Sequence, residues 1–129
     1  MKAESHLELL FMQQVEGYGL PPPIRNYRKW WPGRAFELDF AWIEHRIGLE
    51  IQGAIWIKSK HTTGTGIMRD IDKSNAAIEL GWRVVTAYDK LIISGVAALF
   101  IKRLLEGNPA NGEVTCVNPL PQKSTKRKA

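Results

Sequence analysis

The sequence predicts an α/β fold in which a mixed β-sheet is flanked by helices. Residues 36–42 and 46–53 both alternate large apolar side chains with polar or small ones, the period of a strand. Only Ile43-Glu44-His45 separates them, which makes the two strands antiparallel neighbours. A helical stretch over 67–80 then leads to a further apolar run at 82–88, the layout of a crossover between strands of one sheet. With 129 residues, 44% hydrophobic and 24% charged, the chain suits one domain with a modest core.

Residues 4–15 read as the first helix. Leu7, Leu10, Phe11 and Val15 recur at helical spacing and are expected to face the core, while Ser5 followed by Glu8 has the capping-box pattern. Gly17, Gly19 and Pro21-Pro22-Pro23 end that helix. Residues 24–31 are expected to form a strand, although Arg25, Arg28 and Lys29 interrupt its apolar pattern, and Pro32-Gly33 turns it into the half-buried strand over 36–42. Strand 46–53 gives way to a loop over 58–66, rich in glycine and hydroxyl residues. The helix over 67–80 directs Ile67, Ile71 and Ile78 to the core and stops at Gly81. Trp82 is expected in the core, and Asn75 as a cap or bridge within it. Ser94 opens a last helix through Leu105, ended by Gly107. The folded unit is thus expected to be 1–107, and 108–129 an irregular tail whose Lys123, Lys126, Arg127 and Lys128 make it basic.

Composition narrows the class of function. Cys116 is the only cysteine, which excludes an internal disulfide and a thiolate zinc cluster. No apolar run is long enough to span a bilayer, and the first residues lack a secretory pattern, so no membrane partner and a cytoplasmic setting are expected. A net charge of +5, from 18 Lys+Arg against 13 Asp+Glu, suits an anionic partner.

Asp39 and Glu50 are the residues that point to chemistry. On antiparallel neighbours they converge, and Gln52 shares the strand face of Glu50. Two carboxylates about 5 Å apart repel by roughly 3 kcal/mol at an effective dielectric near 20. Such a pair persists if it shares a proton, stays well solvated or holds a cation. A hard divalent ion between them is the most productive of these arrangements, since it suits phosphodiester hydrolysis.

Asp39, then Glu50-Ile51-Gln52, on consecutive strands after an N-terminal helix, resembles the PD-(D/E)xK nuclease superfamily. More closely, the chain resembles its small bacterial and phage members related to very-short-patch-repair endonucleases. The resemblance runs from about residue 8 to 105 and includes His61-Thr62-Thr63-Gly64-Thr65-Gly66, the stretch from Arg69 to Ala77, and Gly81-Trp82-Arg83-Val84. It implies a restriction-endonuclease-like αβββαβ core, a bacterial or phage-infected cell as the setting, and a metal-dependent endonuclease acting on DNA; the small single domain, with little room for base readout, favours nicked, mismatched or branched forms as its substrate. Mg²⁺ would be held by Asp39, Glu50 and the backbone carbonyl of Ile51, with Mn²⁺ able to substitute. The family has lysine where Gln52 stands, and an amide supplies no charge there. Lys73 can take over as replacement lysine or phosphate clamp, or simply face solvent. Glu8 matches a first-helix acid that orients water or a second metal, but its capping box is an alternative use; Glu4 is a weaker match for the same place. His61 is a candidate phosphate donor or proton shuttle on its loop. Arg28, Lys29, Lys60, Arg69 and Lys73 are candidate contacts to nucleic acid, with Tyr27, Trp30 and Trp31 interleaved for stacking or core. A homodimer would be needed to cut two strands symmetrically. The alternative reading is a catalytically inactive nucleic-acid-binding module on the same scaffold.

Overall fold

The computed structural model describes residues 5–53 and 64–107. Its elements run α1 (His6–Gly17), β1 (Ile24–Tyr27), β2 (Leu38–Trp42), a 3₁₀ turn (Ile43–His45), β3 (Ile47–Gln52), α2 (Gly64–Glu79), β4 (Arg83–Tyr88), α3 (Asp89–Ile93) and α4 (Val96–Gly107). The four strands form one sheet in the order β1-β2-β3-β4. β1–β2 and β2–β3 are antiparallel and β3–β4 parallel, so this is an α/β protein with a mixed sheet flanked by helices.

Helix α1 begins as its sequence dictates. Ser5 Oγ accepts the N–H of Glu8 (3.1 Å) and Glu8 Oε1 accepts the N–H of Ser5 (3.2 Å), a reciprocal cap that satisfies two donors at the helix start. Phe11 and Val15 are buried and Leu7 and Leu10 pack beside them, against Phe40, Trp42, Ile47 and Leu49 of the sheet and Ile92, Ala98 and Ile101 of α3 and α4. A second, smaller apolar layer covers the sheet from α2. It comprises Trp30, Leu38, Ala41, Ala76, Ala77 and Trp82, with Tyr27, Trp31, Phe36, Leu80 and Val84 at its rim. All five residues of β2 are buried because both layers close over it, so the half-buried strand expected from alternation is a fully buried one.

Three other expectations are corrected. The first strand stops at Tyr27 rather than residue 31: Asn26 takes a positive φ of 54°, and Trp30 leaves the strand direction to enter the α2 layer, where its indole N–H donates to the Phe36 carbonyl (3.0 Å). The last helical segment is two helices, α3 and α4, with Gly95 at φ 84° between them. The largest change concerns α2. Ile67, Ile71 and Ile78 are exposed, at 48%, 52% and 77%, and Asn75 is exposed as well, while Gly66, Ala76 and Ala77 are buried. The indoles of Trp30 and Trp82, with ring centroids 6.3 Å apart, already fill this layer. Only small side chains fit beneath the helix, so the isoleucine stripe turns outward.

β3 enters the sheet at a pinned corner. Arg46 adopts φ 56°, its guanidinium donates to the Leu80 carbonyl at the end of α2 (3.1 Å), and its own carbonyl accepts the N–H of Arg83 (2.9 Å). Two residues on, Gly48 is a requirement of space: a Cβ there would lie 2.7 Å from Leu38 Cδ1. Gly48→Ala is expected to destabilise the fold by about 1–3 kcal/mol in urea denaturation. Adding Leu38→Ala should cost less in that background than in the wild type. Additive losses would remove this contact as the reason for the glycine.

Candidate functional site

The register of β2 and β3 decides what meets what. Phe40 pairs with Leu49, Ala41 with Gly48 and Trp42 with Ile47, so the paired ladder ends one step before Asp39 and Glu50. At that step the Asp39 side chain turns to β3, and its Oδ2 accepts the N–H of Ile51 (2.8 Å). Both carboxylates are nearly shut off from water, Asp39 at 8% exposure and Glu50 at 9%. The residue whose carbonyl the nuclease resemblance assigns to a metal, Ile51, is therefore tied to Asp39 through its own amide.

Lys73 comes to Glu50 from the opposite layer. Its ammonium donates to Glu50 Oε2, and the same ammonium lies 5.6 Å from the centre of the Phe36 ring. Removing an ionised carboxylate from water is costly, and burial pushes the Glu50 carboxyl above its ordinary range. The hydrogen bond and charge of Lys73 act against that shift, whereas the charges of Asp39 and Asp70 add to it. Burial prevails. The pair is thus a buried charge partly neutralised, in a setting that still favours more positive charge or a proton.

Glu50, Gln52, Asp70, Lys73, Ser74 and Arg83 share one open cleft of about 410 Å³ between the β3–β4 edge and α2, with Thr86 and Val84 on the strand side and Ala77, Ile78 and Trp82 completing the wall. Gln52 is half-buried there, two residues along the strand from Glu50 as the alternation requires. Arg69 is exposed on α2, and Arg28 and Lys29 are exposed in the segment between β1 and β2. Glu8 is buried but occupied by its capping box and by Arg25 (3.4 Å), whose guanidinium lies 4.6 Å from the Phe40 ring centre. Glu4, Lys60, His61 and the basic tail lie outside the described residues.

Three parts of the site escape sequence reasoning. Asp70 adds its charge to Glu50, Arg83 and Ser74 line the cleft, and the Phe36 ring lies 5.6 Å from the Lys73 ammonium. For Asp70 a signal existed: at three residues before Lys73 on one helix, the two side chains are neighbours. Phe36 carried none, being one apolar residue among several.

Among the described residues, no three His, Cys, Asp or Glu side chains gather as a metal-binding group. The oxygen donors that do gather, two buried carboxylates and the main chain of Ile51, are hard ligands of the kind Mg²⁺ and Mn²⁺ take. Burial holds the Glu50 carboxyl above its ordinary range, and a cation of that class would offset the cost of its buried charge. Comparison of the chain with protein-family models, with curated proteins and with solved structures finds no match.

The upward shift of Glu50 has a definite sign for stability. A carboxyl raised above its unfolded value near 4.5 favours the fold in acid, and that contribution is lost as pH rises through the folded titration. Glu50→Gln, which removes the charge and keeps an acceptor for Lys73, should therefore raise the thermal midpoint at pH 8 by about 3 °C. The gain should shrink as pH falls toward 4.5. A lower midpoint at pH 8 would show that the ion pair outweighs burial.

Proposed function

We propose that this chain is a Mg²⁺-dependent DNA endonuclease of the PD-(D/E)xK type. One observation carries the reading: Asp39 and Glu50 are buried on adjacent strands, and Glu50 lines an open cleft into which a lysine is delivered from the next helix. The positive charge that Gln52 lacks stands instead on Lys73, against Glu50. That arrangement supports the replacement of a strand lysine by a helix lysine.

Asp39, Glu50 and the Ile51 carbonyl would hold the ion, which when bound relieves charge on the phosphate and acidifies a water. The chain's own groups do the rest. Lys73, 18% exposed and beside the cleft, can meet a phosphate oxygen without leaving Glu50. Gln52 offers an amide donor and acceptor to orient a water or a phosphate oxygen. Arg83 and Arg69 place further positive charge on the cleft wall and on the outer surface of α2. A net charge of +5 favours DNA over an acid-poor ligand and predicts affinity that falls steeply with salt. The small size of the domain favours reading DNA structure over reading a long sequence, which points to nicked, mismatched or branched substrates.

A second reading has its own support. With Lys73 held on Glu50 and an uncharged Gln52, the same surface can bind nucleic acid without cutting it.

Purified protein incubated with single-stranded, duplex, flapped, mismatched and four-way DNA in Mg²⁺ or Mn²⁺ separates the two. Cleavage is expected, lost in Asp39→Ala and Glu50→Ala while DNA binding persists. Lys73→Ala should lower the rate by about 10²-fold or more, and Lys102→Ala should leave it within twofold. Binding without cleavage on every DNA and with both metals would leave the binding-module reading standing.

A further inference from the structure

The two outer strands of the sheet are built differently. β1, at one edge, is four residues long, follows Pro21-Pro22-Pro23, is bent at Asn26 (φ 54°) and turns the charge of Arg25 inward onto Glu8 and the Phe40 ring. Prolines, a bend and an inward charge are devices that stop an edge from recruiting another strand. β4, at the other edge, has none of them. Arg83-Val84-Val85-Thr86-Ala87-Tyr88 contains no proline, glycine, lysine or positive φ and equals β3 in length at six residues. Among the described residues no strand pairs with its outer side. Apolar surface continues from this edge onto α2, where Ile78, 77% exposed, lines the cleft with Val84 and Thr86.

Such an edge fits a second copy of itself. A two-fold axis normal to the sheet sets two β4 strands antiparallel and keeps each face of the sheet on its own side, so residues directly opposite must share a face. That condition puts the axis on a residue rather than between two. Centred on Thr86, it pairs Thr86 with Thr86, Val84 with Tyr88 and Val85 with Ala87, and it brings Arg83 level with Asp89 at both ends. Hydroxyl with hydroxyl, β-branched with aromatic, and opposite charges are all favourable cross-strand pairs. The faces agree as well, since Val84 belongs to the α2 layer and Val85 and Ala87 to the other. Centred on Val85 instead, Arg83 would meet Ala87 and lose its charge partner. Thr86 is also level with Glu50 of β3. The two Glu50 residues and the two Thr86 residues therefore fall in one row, three strand spacings or roughly 14 Å from end to end.

We propose that this chain forms a homodimer through β4, joining two four-stranded sheets into one with both clefts open on the same face. The pairing goes beyond the nuclease reading and does not need it. Only its consequence, that one assembly addresses both strands of a duplex, rests on that reading.

The test is sedimentation of the full chain in EDTA without DNA, where the wild type is expected to be a dimer. Thr86→Lys and Thr86→Glu each set like charges opposite one another and should raise the dissociation constant about 10-fold or more, while an equal mixture of the two should associate as tightly as wild type. Side chains directly opposite stand about 5 Å apart at Cβ, so Thr86→Cys, in a Cys116→Ser background that removes the native thiol, should cross-link two copies on mild oxidation. This near-isosteric variant keeps the test decisive if a charged one fails to fold. A monomeric wild type overturns the proposal and leaves the edge to residues 108–129 or to a strand of another protein. A dimer that persists in both charge variants, a mixture as dissociated as its parts, or a dimeric Thr86→Cys protein that does not cross-link overturns it too. With neither metal nor DNA present, failure here leaves the cleavage result untouched, and absence of cleavage leaves the dimer untouched.

Discussion

The ion pair between Lys73 of α2 and the buried Glu50 of β3 is the constraint on which the site depends. A carboxylate nearly cut off from water needs a cation, and the described chain supplies it from the layer facing that strand. Lys73 can reach Glu50 only if α2 presents the face holding Lys73, Ala76 and Ala77 to the sheet. The same choice sends Ile67, Ile71 and Ile78 outward, a cost in apolar exposure accepted at the helix that forms one wall of the cleft. The π face of Phe36, near the Lys73 ammonium, then softens the burial of charge.

The two faces of the sheet divide the work. On the α1–α3–α4 side, aliphatic and aromatic residues such as Phe11, Phe40, Leu49, Ile92 and Ile101 make an ordinary core, fully buried and without charge apart from the Glu8–Arg25 pair at its edge. On the α2 side the layer is thin and aromatic: Trp30 and Trp82 fill it, alanines cover them, and the rim opens to Trp31 and Phe36. Polar groups concentrate where this thinner layer ends. Stability therefore comes mainly from one face while the other is free to hold groups that burial disfavours.

Much of this was legible in local sequence. The capping box at Ser5 and Glu8, the antiparallel pairing through Ile43-Glu44-His45, the Pro32-Gly33 turn, and the shared cleft of Glu50 and Gln52 follow from spacing and residue type. What misled was periodicity in α2, where two stripes compete. The larger side chains form the more hydrophobic stripe, yet the layer beneath has room only for the smaller one. Asp70, Arg83 and Phe36 joined the site without a motif because their positions come from packing between elements distant in the chain.

Sequence alone determined that strands carrying Asp39 and Glu50 would lie side by side, since a three-residue connection permits little else and the alternation of side chains follows from the pleat. Which cation answers Glu50, which face of α2 lies down, and which of two adjacent tryptophans stays at the surface were decided by the tertiary structure. Those outcomes depend on volume and on charge brought together across layers, and neither quantity is written in any local stretch of chain.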